Sequence, residues 1–146
     1  RMGTKFSTRV WVSVVGIASI FFGSKGYADT VISVADFGLK PDTRENAVAY
    51  VQKAIEACRG KEPVTLVFPE GRYDFWPQYA HEKNYYETNT YDVFPKRLAM
   101  LFEGLHNITV DGNGSQFVMH DRIQPITVEN CDGVTLKNFS IDWDIP

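Results

Sequence analysis

Phe102-Glu103-Gly104-Leu105-His106-Asn107-Ile108-Thr109-Val110 lies over Val128-Glu129-Asn130-Cys131-Asp132-Gly133-Val134-Thr135-Leu136 at a constant offset of 26 residues. Apolar meets apolar at 102/128, 105/131, 108/134 and 110/136, and Glu and Thr recur at 103/129 and 109/135. A slip of one residue destroys every match, so the two segments read as copies of one structural unit. Each joins short alternating strands (Ile108, Val110; Val134, Leu136) to a polar corner (Asp111-Gly112-Asn113-Gly114; Asn130-Cys131-Asp132-Gly133). Strands separated by turns at a fixed interval stack as the rungs of a parallel β-solenoid, because one rung cannot bury its inward face without neighbours above and below. The predicted class is therefore mainly β. Two such units are fewer than the roughly three repeats a closed solenoid core needs. With no capping signal at Asp144-Ile145-Pro146, the expectation is the N-terminal part of a longer protein.

Upstream of the repeat the period changes. Val31-Ile32-Ser33-Val34 is a β-branched run ended by turn residues at Asp36-Phe37-Gly38 and Lys40-Pro41-Asp42. From Asn46 to Cys58 the apolar residues fall at 47/48, 51, 54/55 and 58, the single buried stripe of a helix. Asp42 followed by Glu45 resembles a capping box and Gly60 supplies a stop, which predicts a cap helix over about 42–59. Val64 to Phe68 reads as a buried strand, and Pro69-Glu70-Gly71 turns the chain into Arg72-Tyr73-Asp74-Phe75. Residues 73–97 then hold a dense set of aromatics without a clean period, which predicts a long insertion packed on the scaffold, with rungs from about 98.

The first 28 residues carry four cations (Arg1, Lys5, Arg9, Lys25), no acid, an apolar run from Val10 to Phe22, and the small-residue exit Gly26-Tyr27-Ala28. That is the layout of a secretory signal peptide, and its core is shorter than the roughly 18–20 residues that span a bilayer. The expectation is an exported protein, periplasmic or extracellular, with no stable membrane association after cleavage. The 11 remaining cations face 18 acids, a formal charge of −7 on the mature part. A charge of that sign excludes a phosphate-backbone binder, so nucleic acid is not a partner. Cys58 sits on the apolar face of the helix and Cys131 aligns with Leu105 in the repeat, so both read as buried free thiols, with a disulfide as the alternative.

Asp142-Trp143-Asp144 is the most suggestive short motif. In a strand its two carboxylates share one face, about 6.6–6.8 Å apart along the chain. That approaches the roughly 6.5–9.5 Å at which an inverting glycosidase holds its acid and base around a water. The same pattern also suits ordinary solvent-facing rung residues. Trp76, Tyr85, Tyr86, Tyr91 and Trp143 are candidates for stacking on sugar rings, as pockets for saccharides mix aromatic walls with a few polar groups; they equally suit an aromatic cover for the solenoid. His81, His106 and His120 have no metal-ligand spacing with one another or with the cysteines, so no metal is assigned, and His120-Asp121 reads as a surface pair. Asn107, Asn113 and Asn138 begin glycosylation-type triplets that corner chemistry explains equally well. No phosphate loop and no serine-hydrolase elbow is present.

Val34-Ala35-Asp36-Phe37-Gly38, then Asp42, the helix with Gln52 and Ala54-Ile55, and Leu66 to Tyr73 resemble the N-terminal entry of pectate-lyase-like right-handed parallel β-helix proteins. Residues 71–77, 101–120 and 138–146 narrow the resemblance to the bacterial exo-α-1,3-galactosidases of glycoside hydrolase family 110. The resemblance implies an inverting glycoside hydrolase acting on an oligosaccharide or glycan, without cofactor. It also implies that the catalytic carboxylates lie beyond Pro146, which leaves Asp142 and Asp144 as candidates from spacing alone. A polysaccharide lyase or polygalacturonase on the same scaffold, or a non-catalytic carbohydrate-binding solenoid, is the alternative.

Overall fold

The computed structural model describes residues 29–84 and 95–145. The expected signal peptide, Tyr85, Tyr86 and Tyr91 lie outside the described residues. The chain runs through β1 (Thr30–Ser33), a 3-10 turn (Val34–Phe37), α1 (Val48–Cys58), β2 (Val64–Val67), β3 (Arg72–Phe75), β4 (His81–Asn84), β5 (Pro95–Glu103), β6 (His106–His120), β7 (Gln124–Glu129) and β8 (Asp132–Asp144). The molecule is mainly β, and among the described residues the strand pairings are parallel except β4 on β5.

Two sheets share the stacking. In the first, β1 pairs β2, β2 and β3 pair successive halves of the long β6, and β6 pairs β8 on its other edge. In the second, β5 lies between β4 and β7. The offset of 26 visible in the sequence is the register of β5 on β7 and of the first half of β6 on β8: Phe102 faces Val128 and Glu103 faces Glu129, while Ile108 faces Val134 and Val110 faces Leu136. Parallel layers begin earlier than residue 98, since Val64 already pairs Ile108 and Tyr73 already pairs Phe117. Residues 73–75, read from sequence as the start of an insertion, instead belong to the core strand β3.

Corners are set by backbone chemistry. Gly104 (φ 66°) and Asn130 (φ 51°), 26 residues apart, both take the left-handed conformation, and the Gly104 amide bonds the Glu129 carbonyl at 3.0 Å. Glycine and asparagine reach that region at least cost. Gly112 answers a different need. A Cβ there would lie 2.5 Å from Phe139 Cβ and 2.7 Å from the Asn138 carbonyl, so only a bare backbone fits at the irregularity between Asp111 and Ser115.

The inward column at the centre is aromatic. Phe117 meets Phe68, Tyr73, Phe75 and Phe139 at centroid separations of 4.8, 6.1, 5.7 and 4.8 Å. Helix α1 covers this core with Val48, Val51, Ala54, Ile55 and Cys58, all buried, as the apolar stripe requires. Each such side chain taken out of water contributes roughly 1.5–3 kcal/mol when it is Val or Ile.

The helix starts later than the sequence suggests. Its N-cap is Ala47, and Asp42 is not a cap at all: it adopts φ 64° and its carboxylate accepts from the Arg72 amide at 3.0 Å. Asn46 supplies the local polar contact instead, its Oδ1 accepting from Val48 N at 3.2 Å. The capping box that does form joins Ser33 and Asp36 at the 3-10 turn. Cys58 and Cys131 are free thiols, Cys58 buried and Cys131 half-buried with its Sγ 3.2 Å from the Phe102 carbonyl.

Candidate functional site

Strands alternate their faces, so residues flanking the inward Tyr73 and Phe75 point outward. Arg72 and Asp74 do so on β3, His120 on β6, and Asp142 and Asp144 on β8, with His120 paired to Asp144. Trp76 follows β3 directly. Arg72, Asp74, Trp76, His120 and Asp144 come together on one outward face where the three strands end, and Asp142 lies on the same face of β8.

Asp74 organises the group. Its side chain is fully buried, and a buried carboxylate must be paired or bonded. Arg72 supplies two arms, Nε to Oδ1 at 3.0 Å and Nη2 to Oδ2 at 2.7 Å, and His120 Nε2 lies 2.7 Å from the same Oδ2. Burial pushes the Asp74 carboxyl up, but the hydrogen bonds and charge of Arg72 and His120 outweigh it and leave the group below the usual carboxylate range. Because Asp74 is ionised it accepts, so His120 Nε2 carries the shared proton.

Two further groups fix the ring. Trp76 stacks on His120 with centroids 4.0 Å apart and planes 7° from parallel. Asn46 fixes Trp76 in turn: its Oδ1 accepts from Trp76 N at 3.2 Å and its Nδ2 donates to the Gln78 carbonyl at 2.9 Å. The rest of the face is polar and open. Arg72 Nη2 lies 3.6 Å and His120 Nδ1 4.0 Å from Asp144 Oδ2, with Asp144 half exposed. Asp142 is exposed as well, and its Oδ1 accepts from the neighbouring Trp143 amide at 2.8 Å.

The Asp142-Trp143-Asp144 motif thus splits between two faces. Both carboxylates look outward, whereas Trp143 pairs with the buried Met119 and continues the inward column, 45% exposed. It lines a cleft of about 640 Å³ together with Pro77, Lys96, Arg97, Arg122 and Gln124. Trp76 belongs to the outward cluster, with one ring face taken by His120. Arg72 and Asp74 escaped sequence reasoning, and His120, read there as a surface residue, is instead mostly buried and held against Asp74. The Arg-x-Asp-x-Trp alternation at 72, 74 and 76 was the available signal, since those positions share a face of any strand.

A separate polar contact staples the second sheet. Glu103 and Glu129 stand side by side on β5 and β7, and Lys83 of β4 bridges them, 2.9 Å from Glu103 Oε2 and in contact with Glu129 Oε1. The bonds from Glu129 and Glu103 raise the Lys83 pKa.

A parallel, layered β scaffold with a carboxylate, arginine and tryptophan cluster on its outer face defines the general class: a mainly β chain presenting polar chemistry from stacked strand ends. Comparison with known proteins narrows it. The chain is 63% identical over 119 residues to alpha-1,3-galactosidase B of Bacteroides thetaiotaomicron, covering 82% of this chain and 19% of that protein. It is 42% identical over 115 residues to alpha-1,3-galactosidase A of Shewanella woodyi, covering 79% and 19%. Against an alpha-1,3-galactosidase B of Phocaeicola vulgatus it is 38% identical over 141 residues, covering 94% and 22%. The chain therefore resembles the exo-α-1,3-galactosidases, and it spans about a fifth of the length of these relatives. No family model matches it.

Proposed function

We propose that this chain is part of an exported, inverting glycoside hydrolase of family 110 that removes terminal α-1,3-linked galactose from glycans, built on a right-handed parallel β-helix. The observation that carries the reading is the similarity over 79–94% of the chain to relatives named alpha-1,3-galactosidase, at up to 63% identity. The offset of 26 shared by β5 on β7 and by the first half of β6 on β8 supports the β-helix, because a common offset at neighbouring places in two sheets is what one turn of a coil produces. The basic, apolar and small-residue sequence of 1–28 supports export. No organic cofactor or metal enters the proposed chemistry. In this reading the acid and base lie elsewhere in the longer enzyme, and Asp142 and Asp144 line the approach to them.

The test is hydrolysis by the full-length enzyme. Galactose released from a terminal α-1,3-galactosyl disaccharide, appearing first as the β anomer by proton NMR, supports the reading. Release with retention, or cleavage of polygalacturonate with galactosides untouched, overturns it.

A further inference from the structure

We infer that Gln52 is a latch: its side-chain amide takes the place of a neighbouring strand at Leu101, holds α1 on β5, and closes that edge of the second sheet to pairing with a second copy of the chain. The inference is independent of the proposed function, because it rests on backbone bonding alone.

A strand residue turns its N–H and its C=O to the same edge, and the next residue turns its own to the other. On one edge of β5 lies β7, with Leu101 opposite Thr127. The other edge is covered by β4 at residues 95–98, and among the described residues no strand continues that cover to Leu101. Leu101 is 6% exposed, so its backbone groups need partners from the protein.

Gln52 supplies both. Its Oε1 accepts from Leu101 N at 3.3 Å and its Nε2 donates to the Leu101 carbonyl at 3.2 Å. A side-chain amide holds an acceptor and a donor side by side, the same pair that a residue of an adjacent antiparallel strand presents. One helical residue thus completes the ladder where β4 stops. Arg59, at the C-cap of α1, carries the cover onward: its Nη2 donates to the Glu103 carbonyl at 2.9 Å and its Nη1 to the Gly104 carbonyl at 3.5 Å.

The apolar stripe of α1 does not do this work. Burial of Val51, Ala54 and Ile55 is non-directional and tolerates sliding, whereas two bonds to one residue fix the helix along the strand. Gln52 itself is half-buried, so water competes for its amide. When α1 lifts, Leu101 and Glu103 become an open strand edge, which is a template for another chain.

The experiment uses the full-length protein, with residue-resolved hydrogen exchange and sedimentation velocity over a range of concentrations. In Gln52→Leu, a side chain of similar size that cannot bond, the Leu101 amide exchanges about tenfold faster, as the loss of its hydrogen bonds predicts. The α1 amides exchange faster with it, those of β2 and β6 keep their rates, and the variant self-associates as concentration rises while the wild type does not. Gln52→Glu keeps the acceptor for Leu101 N and gives up the donor to the carbonyl, so it retains more of the Leu101 protection than Gln52→Leu does. Gln52 is half-buried and both replacements match its bulk, so both variants fold. Unchanged Leu101 exchange in Gln52→Leu, equal losses in the two variants, or no self-association of Gln52→Leu beyond the wild type overturns the latch.

Discussion

The two faces of β3, β6 and β8 are built by the same strands and obey opposite rules. Inward, Tyr73 pairs Phe117 and Phe117 pairs Ile141, like against like, with aromatic edges filling the space. Outward, the partners differ in kind: Trp76 stacks on His120, His120 bonds back to Asp74, and Arg72 reaches across to Asp144. The inward column gains from repetition, since apolar residues in register bury one another. The outward cluster gains from diagonal contacts between unlike residues, which a repeat does not generate. A stacked scaffold can hence keep a monotonous interior while its exterior is particular to each level.

If that contrast is right, the interior is the costlier place to cut. Phe117→Ala removes the ring common to four aromatic contacts and is expected to destabilise by about 3–5 kcal/mol. Urea unfolding of the purified protein measures it, and a loss below about 1 kcal/mol would show that the column is not the structural centre.

Asp74→Asn comes next, and it separates the faces by pH. Removing the charge leaves Arg72 and His120 without their buried partner, at a cost of about 3 kcal/mol near neutrality. The Asp74 pKa is lowered on folding, so its contribution is present above the unfolded carboxylate pKa and fades as pH falls through the lower folded value. The difference between wild type and variant should therefore shrink in acid, whereas the Phe117→Ala difference should not. Parallel pH curves for the two variants would erase the distinction.

Lys83→Met is the smallest. It exposes the side-by-side carboxylates of Glu103 and Glu129 to each other, but all three groups are partly solvated. The expected loss is small, because solvent screens the pairs, and it is reduced further by added salt. Thermal unfolding at low and high ionic strength reads it.

How much of this was legible in the sequence follows the same divide. The inward columns were visible because apolar residues recur at one offset: 102/128, 108/134 and 110/136 became strand partners. The stripe of α1 was visible for the same reason, its period being set by burial. The outward cluster was hidden because its members are unlike and distant. Asp74 and His120 are 46 residues apart and join diagonally, on strands whose register is offset by 44, not 26. Trp143 shows a further limit. Its motif looked like one unit, yet the two-residue period of a strand sends it to the opposite side from both aspartates. The Asp42 cap failed on competition: an Asx side chain bonds whichever amide the fold brings near, and here that amide is Arg72, 30 residues away.

The unequal offsets have a use of their own. Between Val64 and Ile108 the pairing offset is 44 residues, between Ile108 and Val134 it is 26, and beyond Ser115, which faces Phe139, it is 24, yet the strands resume alignment each time. The length of chain between paired strands is thus decoupled from their alignment. A gene encoding such a scaffold can gain or lose segments at one corner without shifting the strands on either side, so connecting loops can be exchanged wholesale while the frame that carries them stays in phase.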